Sequence, residues 1–160
     1  MGELHREWNE RDAAGEYLAQ AMERLPNTLT VDADYVARGY IALARLQQAR
    51  GEYAKAQETL ATFADVAHRR GLVPHLILRG AAVQAQLALA AGNLSAAVTW
   101  ADASGLHADD ETSFQREPEY LVLARVWIAQ AVSGSAGEFL PQALYLLDRL
   151  MTDASEKARM

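Results

Sequence analysis

The chain of 160 residues has no cysteine, only two lysines (Lys55 and Lys157) and only four prolines. Without cysteine there is no disulfide framework, no thiolate zinc site, no iron–sulfur cluster and no thiol catalysis. No apolar run reaches the roughly 18 residues a membrane span needs; the longest, Gly80 to Ala91, is interrupted by Gln84 and Gln86. The opening Met1–Arg6 carries no apolar signal region, so a cytoplasmic domain is expected. Cations are outnumbered, Lys+Arg 15 against Asp+Glu 21, and the net charge of -6 gives no global drive toward nucleic acid. His5, His68, His75 and His107 lack any metal-ligand spacing. There is no Gly-x-x-x-x-Gly-Lys-Ser/Thr phosphate loop and no Gly-x-Ser-x-Gly nucleophile turn. The carboxylates are scattered, so no acid/base pair is nominated. Asp109-Asp110-Glu111 lacks the alternating ligands and central glycine of a calcium loop. The reading is a non-enzyme with no catalytic residue, metal or cofactor.

What the chain does have is alanine, about a fifth of its residues, the best helix former of all. Its glycines and prolines fall at punctuation points. Gly71 followed by Pro74 reads as a helix stopped and another begun, and Pro118 reads as a second helix start. Asp32 and Asp34 read as caps. The periodicity predicts helices near 3–8, 10–25, 33–50, 53–70, 74–91, 94–104, 118–132 and 140–153. The turn Gly51-Glu52-Tyr53-Ala54-Lys55-Ala56 recurs in form 41 residues on as Gly92-Asn93-Leu94-Ser95-Ala96-Ala97. Tyr40-Ile41-Ala42-Leu43-Ala44-Arg45-Leu46 returns as Tyr120-Leu121-Val122-Leu123-Ala124-Arg125-Val126. Such recurrence marks stacked helix pairs that cannot bury their apolar faces singly. The fold expected is all-α, a right-handed superhelix of antiparallel helix pairs; a compact bundle is the alternative. Ala56 and Ala97 are read as close-packing points. Ala131 stands where a turn glycine is expected, and Val132 to Phe139 reads as an insertion.

Gly51-Glu52-Tyr53-x-x-Ala56-x-x-x-Leu60 resembles the turn and second helix of a tetratricopeptide repeat, in a version with a longer period. A wider resemblance runs over nearly the whole chain. It is carried by His5 to Ala14, Gly39 to Arg45 with Ala49-Arg50-Gly51, Trp100-Ala101, Gly105-Leu106, Asp109-Asp110, Glu119-Tyr120-Leu121 and Leu123 to Val126. These stretches are similar to the helical-repeat domain of large LuxR-type, ATP-dependent, MalT-like transcriptional regulators. The resemblance implies one helical-repeat domain over 1–160, the middle segment of a larger regulator whose ATP-binding and DNA-binding parts lie elsewhere. It implies signal sensing and protein–protein interaction: a small-molecule inducer or a regulatory protein bound in the concave groove. No direct contact with nucleic acid or membrane is expected. A generic adaptor that captures an extended or C-terminal peptide is the alternative.

In repeats of this kind the leading helix of each pair lines the groove. Counted from Gly51, the groove positions lie near Arg38, Ile41, Ala42, Arg45 and Gln48, then Arg79, Ala82, Val83, Gln86 and Leu89, then Leu121, Val122, Arg125 and Ile128. The candidate partner-binding residues are Arg38, Arg45, Gln48, Arg79, Gln86 and Arg125. Guanidinium groups present forked donors to carboxylates and other anions. Arg45, Gln86 and Arg125 are read as equivalent positions, and so are Arg38 and Arg79. The arginines have a structural reading as well, as struts between repeats. The aromatic residues are read mostly as core. The 105–118 connector is read as a mobile rim. Leu144, Leu147 and Leu150 form a stripe through which uncapped ends are expected to self-associate.

Overall fold

A computed structural model describes residues 33–111 and 115–157, together with Glu16, Tyr17 and Gln20, which are helical. The helices expected at 3–8 and 10–25, Asp32 and Trp8 lie outside the described residues, apart from those three. The described residues form six α-helices: α1 (Ala33–Ala49), α2 (Tyr53–Arg70), α3 (Pro74–Ala90), α4 (Leu94–Ala103), α5 (Glu117–Gln130) and α6 (Ala136–Lys157). There is no strand among them. In chain order they group as α1/α2, α3/α4 and α5/α6; α1 packs on α2 and α5 on α6, and α4 packs also on α5.

The punctuation residues act as expected. Gly51 (φ 76°) and Gly92 (φ 77°) end the first helix of their pairs in the left-handed conformation. Each turn is closed the same way: Glu52 N donates to Gln47 O at 2.9 Å, and Asn93 N donates to Ala88 O at 2.8 Å. Gly71 ends α2 likewise, and Pro74 opens α3. Pro118 lies in the first turn of α5. Asp34, read as a cap, lies instead inside the first turn of α1.

The third pair corrects the sequence reading. α5 runs on into a kinked turn, Ala131–Ser135. Helical geometry breaks at Gly134 (φ 124°, ψ -3°), a conformation open essentially to glycine alone. Gly134 is therefore the counterpart of Gly51 and Gly92. Residues 132–139 are this turn and the first turn of α6, not an insertion, and Ala131 is buried core.

By its contacts the chain divides into two compact units, Met1–Gly80 and Ala81–Met160. In the first, α1 buries Val36, Ala37, Tyr40 and Leu43 against Phe63, Val66 and Ala67 of α2 and Leu76 at the start of α3. The Tyr40 and Phe63 rings meet at 5.7 Å in a tilted arrangement. Thr59 donates to the Gln47 side-chain carbonyl at 2.8 Å, tying α2 to α1. Ala56 is fully buried, as its close-packing role requires.

In the second unit, Tyr120, Leu123, Ala124 and Trp127 of α5 pack on Ala143, Leu146 and Leu150 of α6, with Leu106 and Trp100 alongside. Ala82, Ala85, Ala97, Val122 and Val126 form a neighbouring cluster of small side chains. Two expectations fail here. Leu150 is core while Leu144 is exposed, so Leu144, Leu147 and Leu150 do not share one free stripe. Tyr17, Tyr35, Tyr53 and Tyr145 are exposed; of the tyrosines only Tyr40 and Tyr120 are core.

Candidate functional site

The six candidate residues lie on the leading helices. Arg38 and Arg45 share one exposed stripe of α1 with Tyr35, Ala42 and Ala49. They stand two turns apart, about 10 Å along the axis. Arg38 pairs with Asp34 one turn back, Nε to Oδ2 at 2.6 Å, an exposed ion pair of small energetic weight. Arg45 is exposed and Gln48 half-buried, with the Gln48 carbonyl taken by the turn N–H of Gly51. Arg79 and Gln86 are half-buried on α3, seven residues apart and so on one face, and Arg125 is exposed on α5. Arg45, Arg79 and Arg125 make no hydrogen bond or ion pair with the described residues. Ile41, Ala82, Val83 and Val122, expected beside them, are buried core instead.

The equivalences between pairs need one correction. The buried residues of α1 are Val36, Ala37, Tyr40, Ile41, Leu43 and Ala44. A shift of 83, which carries Gly51 onto Gly134, carries them onto Glu119, Tyr120, Leu123, Ala124, Val126 and Trp127, all buried. The shift of 80 suggested by the Tyr-x-x-Leu-Ala-Arg echo places Val36 and Ala37 on half-buried Arg116 and Glu117. Arg125 is therefore equivalent to Ala42, and Arg45 to Ile128. Arg45 and Gln86 remain equivalent through the matching Gly51 and Gly92 turns, as do Arg38 and Arg79.

Charge is distributed by helix. Beyond their first turns α1 and α5 carry no carboxylate, and α3 carries none at all. The carboxylates of the helices lie instead on α2 (Glu58, Asp65), α4 (Asp102) and α6 (Glu138, Asp148, Asp153, Glu156). An acidic chain thus offers Arg45 and Arg125 exposed on helices whose bodies carry no carboxylate.

A second polar cluster escaped the sequence reading. Asp110 Oδ2 accepts the His107 backbone N–H at 2.8 Å and the Tyr120 hydroxyl at 3.2 Å. Arg149 of α6 donates to the Ala108 carbonyl at 2.5 Å and the Asp110 carbonyl at 2.8 Å. The Arg149 guanidinium also lies 5.8 Å from the Tyr145 ring centre. Glu119, only 2% exposed, receives the Arg116 Nε at 2.9 Å, and that guanidinium lies 5.9 Å over the Tyr120 ring. Burial pushes the Tyr120 phenol above its usual range, and the Asp110 carboxylate raises it further. The described part of the 105–118 connector is therefore fastened at residues 107–110, not a free rim. The sequence signal was thin: a lone arginine on α6, 39 residues from its partner carbonyl at Asp110.

An open groove of about 430 Å³ lies between Leu94, Ser95, Val98 and Thr99 of α4, Gln130 of α5 and Ser133 of the turn after it. Its lining is uncharged. Among the described residues no group of three or more His, Cys, Asp or Glu could hold a metal ion, and no helix is long and apolar enough to cross a membrane.

The helix pairs, their Gly-closed turns and the small residues at their contacts are those of an all-α tetratricopeptide-like repeat. The family model of the MalT-like TPR region matches residues 1–160. The chain belongs to the MalT-like TPR family. No curated protein matches it in sequence. The exposed faces of its leading helices carry Arg38, Arg45 and Arg125.

Proposed function

We propose that this MalT-like TPR region is the signal-sensing and protein-interaction segment of a LuxR-type transcriptional regulator in the cytoplasm. It takes an anionic inducer or an acidic segment of a regulatory protein on the exposed faces of its leading helices. It performs no catalysis and contacts no nucleic acid; ATP and DNA binding belong to other parts of the regulator. Occupation of the surface biases the regulator between states through the difference in affinity for each. The observation that supports this reading is the exposed, unneutralised Arg45 and Arg125 on helices whose bodies carry no carboxylate. Arg38 and Gln48 on α1 and Arg79 and Gln86 on α3 are the further candidates.

The experiment is a titration of the chain with fluorescent acidic peptides, with a free or an amidated C-terminus, alongside small anionic metabolites. Arg45→Ala and Arg125→Ala are expected to weaken binding about tenfold each, with melting temperature changed little, as befits exposed side chains. If both variants instead unfold the domain and leave residual binding intact, the arginines are struts and the reading fails. A preference for the free C-terminus would favour the peptide-capturing adaptor over the inducer sensor.

A further inference from the structure

The three leading helices do not bury the same positions. A shift of 41, which carries Gly51 onto Gly92, carries the buried Val36 and Ala37 of α1 onto Ile77 and Leu78 of α3. The shift of 83 carries the same two onto Glu119 and Tyr120 of α5, both buried. Ile77 and Leu78 are instead 38% and 39% exposed, and Val73, four residues before Ile77, is exposed as well. Where these positions are buried, a long trailing helix buries them. α2 has 18 residues, and Phe63, Val66 and Ala67 in its second half join the cluster that holds Val36 and Ala37. α6 has 22 residues and brings Leu146 and Leu150 to the cluster that holds Tyr120. α4 has only 10 residues and ends at Ala103, with left-handed Gly105 (φ 63°) just beyond it. At the shift of 41 the counterparts of Phe63, Val66 and Ala67 are Ser104, His107 and Ala108, which include no large apolar side chain. That segment is also engaged elsewhere, since Arg149 holds the Ala108 and Asp110 carbonyls. Charge differs at the same register. Arg38 of α1 is paired with Asp34, whereas its counterpart Arg79 has His75 in the place of that carboxylate. From Val66 to Ala101 the chain has no Asp or Glu, while it carries His68, Arg69, Arg70, His75 and Arg79. Of the carboxylates on α1 and α2 nearest this stretch, Asp65 lies one turn before Arg69 and Asp34 is already paired.

We infer that the Val73–Ile77–Leu78 ledge at the start of α3 docks a short helix of a partner protein, one with apolar side chains at i, i+3 and i+4 and acidic flanks. The partner helix does for Ile77 and Leu78 what the second half of α2 does for Val36 and Ala37. Its apolar positions follow the Phe63, Val66 and Ala67 spacing, which lies on one helical face. Its carboxylate does for Arg79 what Asp34 does for Arg38 and selects the sign of the partner. A second copy of this chain fits less well, because Phe63, Val66 and Ala67 are buried in its own core and are followed by His68, Arg69 and Arg70. The ledge shares Arg79 with the surface proposed above but neither Arg45 nor Arg125, so either reading can fail without the other.

The test uses the full chain and a labelled peptide of about three turns, held helical by a side-chain staple because so short a helix is marginal alone. It carries Phe, Val and Ala at i, i+3 and i+4 and Glu at the flanking positions, and a second peptide has Lys in place of Glu. By fluorescence anisotropy the Glu peptide is expected to bind about tenfold more tightly than the Lys peptide at low salt, with the gap closing as salt is added. Ile77→Gln and Leu78→Gln, with circular dichroism unchanged, are expected to weaken the Glu peptide about tenfold or more. Arg79→Gln is expected to narrow the gap between the two peptides, and Arg45→Ala to leave both affinities as they were. Equal affinity for the two peptides, no binding, or binding undiminished in the Ile77 and Leu78 variants would overturn the inference. So would a loss with Arg45→Ala as large as that with Leu78→Gln, which would place the peptide on α1. Sedimentation showing that the chain dimerises and that Leu78→Gln abolishes the dimer would overturn it too, by making a second copy the occupant.

Discussion

Gly80 sets how closely α3 approaches α2. A β-carbon built on it would stand 2.5 Å from Phe63 Cε1 and 2.8 Å from Phe63 Cδ1. Real packing does not tolerate that approach, and the Phe63 ring is itself held against Tyr40. Gly80→Ala is expected to cost about 1–3 kcal/mol through overpacking, despite improving helix propensity. Urea denaturation measures the loss, and Phe63→Leu in the same chain should recover part of it. In the sequence Gly80 is only the first residue of an apolar run, because nothing local says which ring lies opposite. Arg149 makes the same point with charge. Its two carbonyl bonds close the 107–110 loop onto α6. Arg149→Met keeps the aliphatic stem but removes both bonds, each of the charge-assisted kind. Amide exchange at Leu106–Asp110 is expected to accelerate by about tenfold or more while α1 and α2 stay protected. Uniform acceleration across the chain would show global destabilisation instead.

At the scale of the element, the two Gly-closed turns offer a natural comparison. Asn93 caps α4, its side chain accepting the Ala96 N–H at 3.1 Å. Glu52 occupies the same place before α2 with a similar backbone (φ -85°, ψ 55°, against φ -87°, ψ 73°) and makes no side-chain cap. Its carboxylate reaches Lys55 instead, at 3.3 Å. Glu52→Asn should therefore stabilise the chain by about 0.5–1 kcal/mol, measured as a rise in the denaturation midpoint with unchanged slope. A neutral or negative result would mean that the Glu52–Lys55 pair outweighs the missing cap. The helix boundaries themselves were legible, since Gly51, Gly71, Pro74, Gly92 and Pro118 act through local backbone chemistry. The third turn was not. Its glycine, Gly134, lies at a kink within the 131–135 turn, three residues beyond the position that the Tyr-x-x-Leu-Ala-Arg echo assigns to it.

At the scale of the whole molecule, each unit buries one tyrosine whose hydroxyl resists ionisation. Tyr40 is raised mainly by burial, partly offset by Arg70 and Arg69. Tyr120 is raised by burial and then by Asp110. A folded-state value above the unfolded one of about 10 means the neutral phenol favours the fold. That stability is fully present below about pH 10 and is lost as pH climbs through the raised values. Unfolding free energy should thus decline on the alkaline side, and Tyr40→Phe with Tyr120→Phe should flatten the decline. An unchanged pH slope in the double variant would assign the alkaline loss to other groups.

Composition, Gly and Pro placement and the 3.6-residue periodicity were sufficient for the all-α class, the helix pairs and the leading helices that carry the arginines. These depend on neighbours in the chain, within a turn or two. The register between pairs was not decided that way. Matching Tyr120 to Tyr40 places the third pair three residues out, and a helix barely registers the error, because positions i and i+3 share a face. Burial at Glu119 and Tyr120 and the break at Gly134 resolve it. The tertiary structure likewise decided that Leu150 is core while Leu144 and Met151 are exposed, and that Arg149 holds a loop 39 residues away. Those outcomes depend on which helix lies opposite. Local chemistry decides where a helix begins and ends, and only packing decides what it faces.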